Sequence, residues 1–105
     1  MPRPRCCRRV SAEPGVGCFK PAGVSMDELQ EVVLAVDEFE ALRLKDLEGL
    51  EQTECACKMG ISQPTFHRLL AEARRKVADA IVNGRALRIG GGNYRCRRRR
   101  GCHGH

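Results

Sequence analysis

Seven cysteines and three histidines are the residues of this chain whose chemistry could be more than packing. Cys55 and Cys57 stand two apart, and His67 follows ten residues after Cys57. On a helix, residues two apart point about 200° away from one another, so Cys55 and Cys57 cannot grip one metal together. Cys55 reads as a small buried hydrophobe and Cys57 as a partly exposed thiol. The remaining cysteines lie near the two ends: Cys6, Cys7, Cys18, Cys96 and Cys102, with His103 and His105. Cys7, Cys18, Cys96 and Cys102 could close a tetrahedral zinc site or hold an iron–sulfur group, binding the two arms together. Cys96 and Cys102 are six apart, and Cys102 abuts His103, so the spacing matches no standard ligand set. Unrelated thiols on two arms are the alternative.

Catalysis finds little support. The chain has no phosphate-cradling GxxxxGK[ST], no placeable pair of carboxylates and no nucleophile with an evident base. Gly90-Gly91-Gly92 is followed by no helix that could bind a phosphate and reads as a turn. Aromatics are few, with no Trp, one Tyr and three Phe. A large aromatic-lined ligand pocket is not expected.

Charge is more informative. The net charge is +6 over 105 residues. Residues 1–20 carry +4 and residues 95–105 carry +5, which leaves −3 for the middle. Basic ends on a mildly acidic body suit contact with nucleic acid. Arg-rich ends that merely keep a small protein soluble are the alternative. Within the middle, residues 62–76 are +3 and residues 37–54 are −5. The start, MPRPRCCRRV, is neither a secretory signal nor an anchor, and no run reaches the roughly 20 apolar residues of a membrane span. A cytoplasmic protein is expected. An odd number of cysteines in a reducing compartment fits thiols or metal ligands rather than disulfides.

Behind those residues must stand elements that position them. Residues 1–26 hold four of the five prolines and read as an irregular basic arm. EVVLAV, residues 31–36, is a strand candidate. Asp37 followed by Glu40 is a capping pattern, so a helix is expected from Glu38 through FEALRLKDLE, ended by Gly49. Its acidic face is expected to be solvated or to serve a partner. A short second helix is expected over about Gln52–Lys58, a tight turn at Met59-Gly60-Ile61, and a long third helix capped by Ser62 with Pro64 in its first turn. Phe66, Leu69, Leu70, Ala73, Val77, Ala80 and Ile81 recur at helical spacing in that third helix. Asn83-Gly84 ends it. ALRI, residues 86–89, is a second strand candidate, expected to pair with the first. The tail from Arg95 onward shows no apolar period and is expected to be disordered.

Small Ala56 facing a second helix, Gly60 four residues later, and inward Cys55, Met59, Ile61, Phe66 and Leu69 fill the slots of a helix-turn-helix. The expected fold is therefore mainly α. It is a three-helix helix-turn-helix domain over residues 27–94, with a short two-stranded β element, a basic arm over 1–26 and a tail over 95–105. In this geometry Ser62, Gln63, Thr65, His67 and Arg68 face base edges. Arg74, Arg75 and Lys76 face phosphates. The expected function is duplex DNA binding in transcriptional regulation. The alternative is a metal-binding or redox-responsive interaction protein whose arms carry the function.

The chain also resembles an uncharacterised prokaryotic family of small predicted DNA-binding proteins. The likeness lies in MPRPRCCRRV at 1–10, VDEFEALRLKDLEGL at 36–50, ECACKMGISQPTFHRLL at 54–70, ARRKVADAIVNGRAL at 73–87 and GGNYR at 91–95. The central motif is similar to the fourth region of sigma factors, which binds promoter DNA. The resemblance implies DNA binding in transcriptional control. A single helix-turn-helix reads few bases, so a second copy of the chain or RNA polymerase is expected as a partner. Some relatives join this domain to one similar to nitrogenase iron–molybdenum cofactor proteins, which implies a metal context. Three positions depart from the pattern. Cys6 replaces a basic residue while Cys7 matches the family cysteine, Gln63 replaces a frequent Arg, and Glu51 replaces a capping Thr.

Overall fold

The computed structural model describes residues 8–92 and 94–96, the last three by their backbone alone. The elements run β1 (Arg8–Val10), β2 (Cys18–Phe19), β3 (Glu31–Leu34), α1 (Val36–Leu42), α2 (Gln52–Met59), α3 (Gln63–Asn83), β4 (Ala86–Ile89) and β5 (Tyr94–Cys96). The fold is mainly α with a small β component.

The two expected strands form and pair. Val32 and Leu34 are buried while Glu31 and Val33 face out, the two-residue alternation of a strand with one covered face. β3 runs parallel to β4 in the register Val32↔Leu87 and Leu34↔Ile89. Parallel neighbours need a long crossover, and all three helices supply it. The β component is larger than the expected pair. β2 adds to the other edge of β4 in antiparallel fashion, giving the order β2-β4-β3. β1 and β5 form a separate parallel pair, with Val10 opposite Cys96.

The segment expected to be an irregular arm therefore contributes two strands, and Val10 is among the most deeply buried side chains. Arg95 and Cys96, expected to begin a disordered tail, continue a strand. Residues 97–105 lie outside the described residues. Composition misled here because short strands stitched by distant partners leave no local period.

The start of α1 also differs. The helix begins at Val36, and its N-cap is Ala35, which has no side-chain acceptor. Glu38, not Glu40, fills the third helical position, and its Oε1 accepts from the Ala35 N–H at 2.9 Å. Asp37 accepts from the Glu38 N–H at 3.0 Å instead of capping the helix. The acidic face is solvated only at its far end, where Asp46 and Glu48 are exposed. Asp37, Glu38 and Glu40 are buried. Charge this deep needs partners. Arg8 Nε lies 3.6 Å from Asp37 Oδ2, and Lys76 Nζ 2.8 Å from Glu38 Oε1. Arg43 grips Glu40 with two donors, each at 2.9 Å. Ser11 adds its N–H and hydroxyl to the same carboxylate at 3.2 and 3.1 Å, fastening the end of β1 to α1.

After α1 the backbone widens into a π turn over Arg43–Leu47, and Gly49 at φ +78° ends it. Leu44 points into the core, whereas Leu47 stands exposed. The main core gathers Ala41, Leu44, Cys55, Ala56, Met59, Phe66 and Leu70 where the three helices meet. Ile61 and Leu69 pack against its rim as expected. Ile81 does not join the inward stripe of α3 and is 75 % exposed. The last turn of α3 is covered on one side only: Ala80 is buried there while Ile81 beside it is not.

Candidate nucleic-acid interface

The helical pair α2–α3 is set by three residues, 60–62. Gly60 adopts φ +71° and ψ 34°, a left-handed conformation that costs a side-chain-bearing residue energy. Its N–H closes α2 on Ala56 and Cys57 carbonyls. Ser62 then opens α3: its Oγ accepts from the Thr65 N–H at 3.3 Å and donates to Thr65 Oγ1 at 2.9 Å. Pro64 takes a first-turn position, where a missing N–H leaves no helical bond unmade. Phe66 and Met59, both fully buried, lock the two helices over the core. Cys55 is enclosed there too, with Sγ donating to the Leu50 carbonyl at 3.7 Å. Burial pushes its thiol pKa up. Cys57, on the opposite side of the helix, is exposed.

With the apolar side locked inward, α3 turns a polar face outward at its N-terminal end. Ser62, Gln63, Pro64, His67 and Arg68 are exposed, and Thr65 is half-buried with its hydroxyl engaged by Ser62. His67 Nδ1 lies 3.5 Å from Gln52 Nε2 at the start of α2. When the amide donates to Nδ1, the neutral imidazole carries its proton on Nε2 and offers it outward. Arg68 makes no ion pair among the described residues, so its guanidinium is available to a ligand.

The other three cations expected to serve the surface are engaged. Arg74 forks onto Asp46 at 2.6 and 3.0 Å, and this contact holds the Asp46 carboxyl below its ordinary range. Arg75 forks onto Glu72 at 2.7 and 3.2 Å. Both pairs are exposed and can open to a phosphate at small cost. Lys76 is different. It is largely covered and joined to the buried Glu38, so its ammonium serves the fold.

Two further residues belong to this surface: Arg9, which the sequence placed only within the basic arm, and Gln52, which it did not single out. Arg9 Nη2 donates to the Cys57 carbonyl at 3.3 Å, at the C-terminal end of α2. A cation there is favoured by the helix dipole. A Cβ placed on Gly60 would lie 3.2 Å from the Arg9 guanidinium, so the glycine also makes room for it. The second residue is Gln52, through His67. Neither had a local signal, because both contacts join segments distant in sequence.

The candidate metal ligands are not brought together among the described residues. Cys18 lies exposed on β2. Cys96 belongs to β5, described by its backbone only. Cys7 and Cys102 lie outside the described residues, as do Cys6, His103 and His105. Among the described residues no three His, Cys, Asp or Glu side chains gather as a metal site would require.

The family described as "Protein of unknown function DUF134" matches residues 1–97. The chain belongs to this family. Its DUF134 segment is similar to a UPF0251 protein of Pelotomaculum thermopropionicum, 63 % identical over 95 residues, or 90 % of this chain and 72 % of that protein. A UPF0251 protein of Moorella thermoacetica is 62 % identical over 105 residues, covering 93 % of this chain and 70 % of the relative. A third, from Thermoanaerobacter sp., is 63 % identical over 95 residues, with 90 % and 84 % covered. These DUF134 relatives are prokaryotic. No solved structure matches the chain. No helix among the described residues is long and apolar enough to cross a membrane.

Proposed function

We propose that this protein binds duplex DNA and acts in transcriptional regulation. α2, the Gly60 turn and α3 are read as a helix-turn-helix, similar in sequence to the fourth region of sigma factors. The first two turns of α3 enter the major groove. The observation that carries this reading is the contiguous exposed set Ser62, Gln63, His67 and Arg68 at the leading end of a helix whose opposite side is locked into the core. Hydroxyl, amide, imidazole and guanidinium groups together can donate to and accept from base edges. A rigid helix holds them in one register, as base readout needs.

Charge supports the same orientation. Arg68 is available directly, and Arg74 and Arg75 sit in exposed pairs that a phosphate can replace. Arg9 lies beside the turn and adds a guanidinium at the same edge. The described body carries buried acids that are each met by a cation, so they present little repulsion to a polyanion.

Selection of bound duplexes from a random pool at near-physiological salt tests the proposal. An enriched motif that loses definition in Gln63→Ala supports groove reading. Binding that is equally strong on every sequence and vanishes with added salt would reduce the surface to a phosphate binder. No binding at all would reject the proposal.

A further inference from the structure

The far end of α3 carries a second surface, remote from Ser62 and Gln63. Between its last turns and strands β2 and β4 runs a groove of about 560 Å³. Phe19, Val77, Ala80, Ile81 and Leu87 give it apolar walls. Two of these side chains stand open, Ile81 at 75 % and Phe19 at 53 % exposed. Apolar groups left open around a hollow mark an interaction site. Lys20 and Arg85 also line the groove, and no acidic side chain lines it among the described residues.

We propose that this groove binds a small amphipathic carboxylate, whose apolar body lies on Phe19, Ile81 and Leu87 and whose carboxylate meets Arg85 and Lys20. Charge complementarity names the head group. Both cations hold donors in reserve. Lys20 Nζ donates to the Val24 carbonyl at 2.6 Å, a neutral acceptor. An ammonium has three donors, so the rest of Lys20 and its charge remain available. Arg85 Nη1 reaches Asp79 Oδ2 only at 3.4 Å. Asn83 Nδ2 donates to the other oxygen of Asp79 at 2.6 Å, so Asp79 keeps a partner when Arg85 turns away. The backbone of Arg85 stays fixed meanwhile, its N–H donating to the Ala80 carbonyl at 2.8 Å. A guanidinium grips a carboxylate with two parallel donors. A cationic head would meet two like charges, and a neutral head would leave both unmatched.

Size names the class of ligand. The groove volume of about 560 Å³ falls within the roughly 300–1,000 Å³ of small-molecule sites. Such sites are apolar hollows in which a few polar groups fix orientation, as Arg85 and Lys20 can here. A stable protein partner spreads over roughly 20–30 residues a side, far more than frame this groove. The inference does not rest on the DNA-binding reading, and its test does not involve DNA.

The test is a methyl NMR titration of the full chain, under reducing conditions, with octanoate, 1-octanol and octylammonium. These probes share one tail and differ in the head. Octanoate is expected to bind saturably at one site, moving the methyls of Val77, Ile81 and Leu87 and leaving those of Leu44 and Leu70 in place. It should bind roughly tenfold more tightly than either companion, the scale of one charge-assisted contact. Arg85→Gln should remove that preference and leave 1-octanol binding unchanged, and Lys20→Gln should reduce the preference in part. Ile81→Ser should weaken octanoate and 1-octanol alike. Ile81 is open to solvent, so its variant should keep the far-UV circular dichroism of the wild type. Equal binding of the three probes, or a preference for octanoate that survives Arg85→Gln with Lys20→Gln, overturns the proposal. So does the absence of any response to octanoate. In that case, shielding of the Ile81 methyls from a paramagnetic cosolute would assign the groove to the chain itself or to a second copy, and open methyls would assign it to a macromolecular partner.

Discussion

Lys76 Nζ donates to Glu38 Oε1 at 2.8 Å, joining the middle of α3 to the first turn of α1 across 38 residues of sequence. The same oxygen accepts the Ala35 N–H. One carboxylate thus closes the start of α1 and anchors the long helix to it. Removing Lys76 leaves a buried acid without its cation. Lys76→Ala should cost about 2–3 kcal/mol, the range between a charge-assisted hydrogen bond and a fully buried ion pair. Urea unfolding measures it. A loss under half a kilocalorie would mean that water reaches Glu38 in solution.

Gly60 is held twice over, by its left-handed backbone and by the Arg9 guanidinium above it. Gly60→Ala should destabilise by about 1–2 kcal/mol, most of it from the positive φ. Adding Arg9→Ala should recover only the steric part. Thermal unfolding of the single and double variants separates the two contributions. Full recovery in the double variant would place the whole cost in the contact.

Gln63 and Arg75 should fail in different ways. Gln63→Ala should blur the selected motif at one position while leaving salt dependence alone. Arg75→Ala should weaken binding to all duplexes and reduce the salt slope by about one unit. Binding isotherms at several salt concentrations on a selected and a scrambled duplex decide it. Identical behaviour of the two variants would count against base readout by Gln63.

Asp37 gives a pH signature. Burial raises its pKa above the ordinary 3.8, with Arg8 acting in the opposite direction. The folded state therefore binds this proton more tightly than the unfolded chain. As pH rises from 3.8 through the folded value, the group's contribution to stability falls. The stability of the wild type relative to Asp37→Asn should decline across that window and level off above it. Paired urea titrations at stepped pH read the difference. A relative stability that rises with pH would show that Arg8 outweighs burial.

The thiols should divide by exposure. Cys18 and Cys57 are open, while Cys55 is enclosed and its pKa is pushed up by burial. Brief alkylation followed by peptide mass spectrometry should label Cys18 and Cys57 and spare Cys55 until the chain is unfolded. Labelling of all three at equal rates would mean that the α2–α3 core opens readily.

Local chemistry alone determined much of this molecule. The Ser62 cap, Pro64, the three-residue turn at Gly60 and the stop at Gly84 are legible because each depends on one residue and its near neighbours. So is ALRI as a strand, and so are the inward Cys55, Met59 and Phe66, since helical period sorts faces without knowing what covers them. Tertiary structure decided the rest. Asp37, Glu38 and Glu40 looked like a solvated face, and became buried because Arg8, Lys76 and Arg43 come to meet them. Lys76 looked like a phosphate contact for the same reason, its acid being 38 positions away. β1, β2 and β5 are two or three residues long, too short to show a period, and exist only through distant partners. Ile81 kept the inward spacing of α3, yet it stays exposed while its neighbour Ala80 is buried. Period assigns a side chain to a face of its helix; only the neighbouring elements decide whether that face meets protein or solvent.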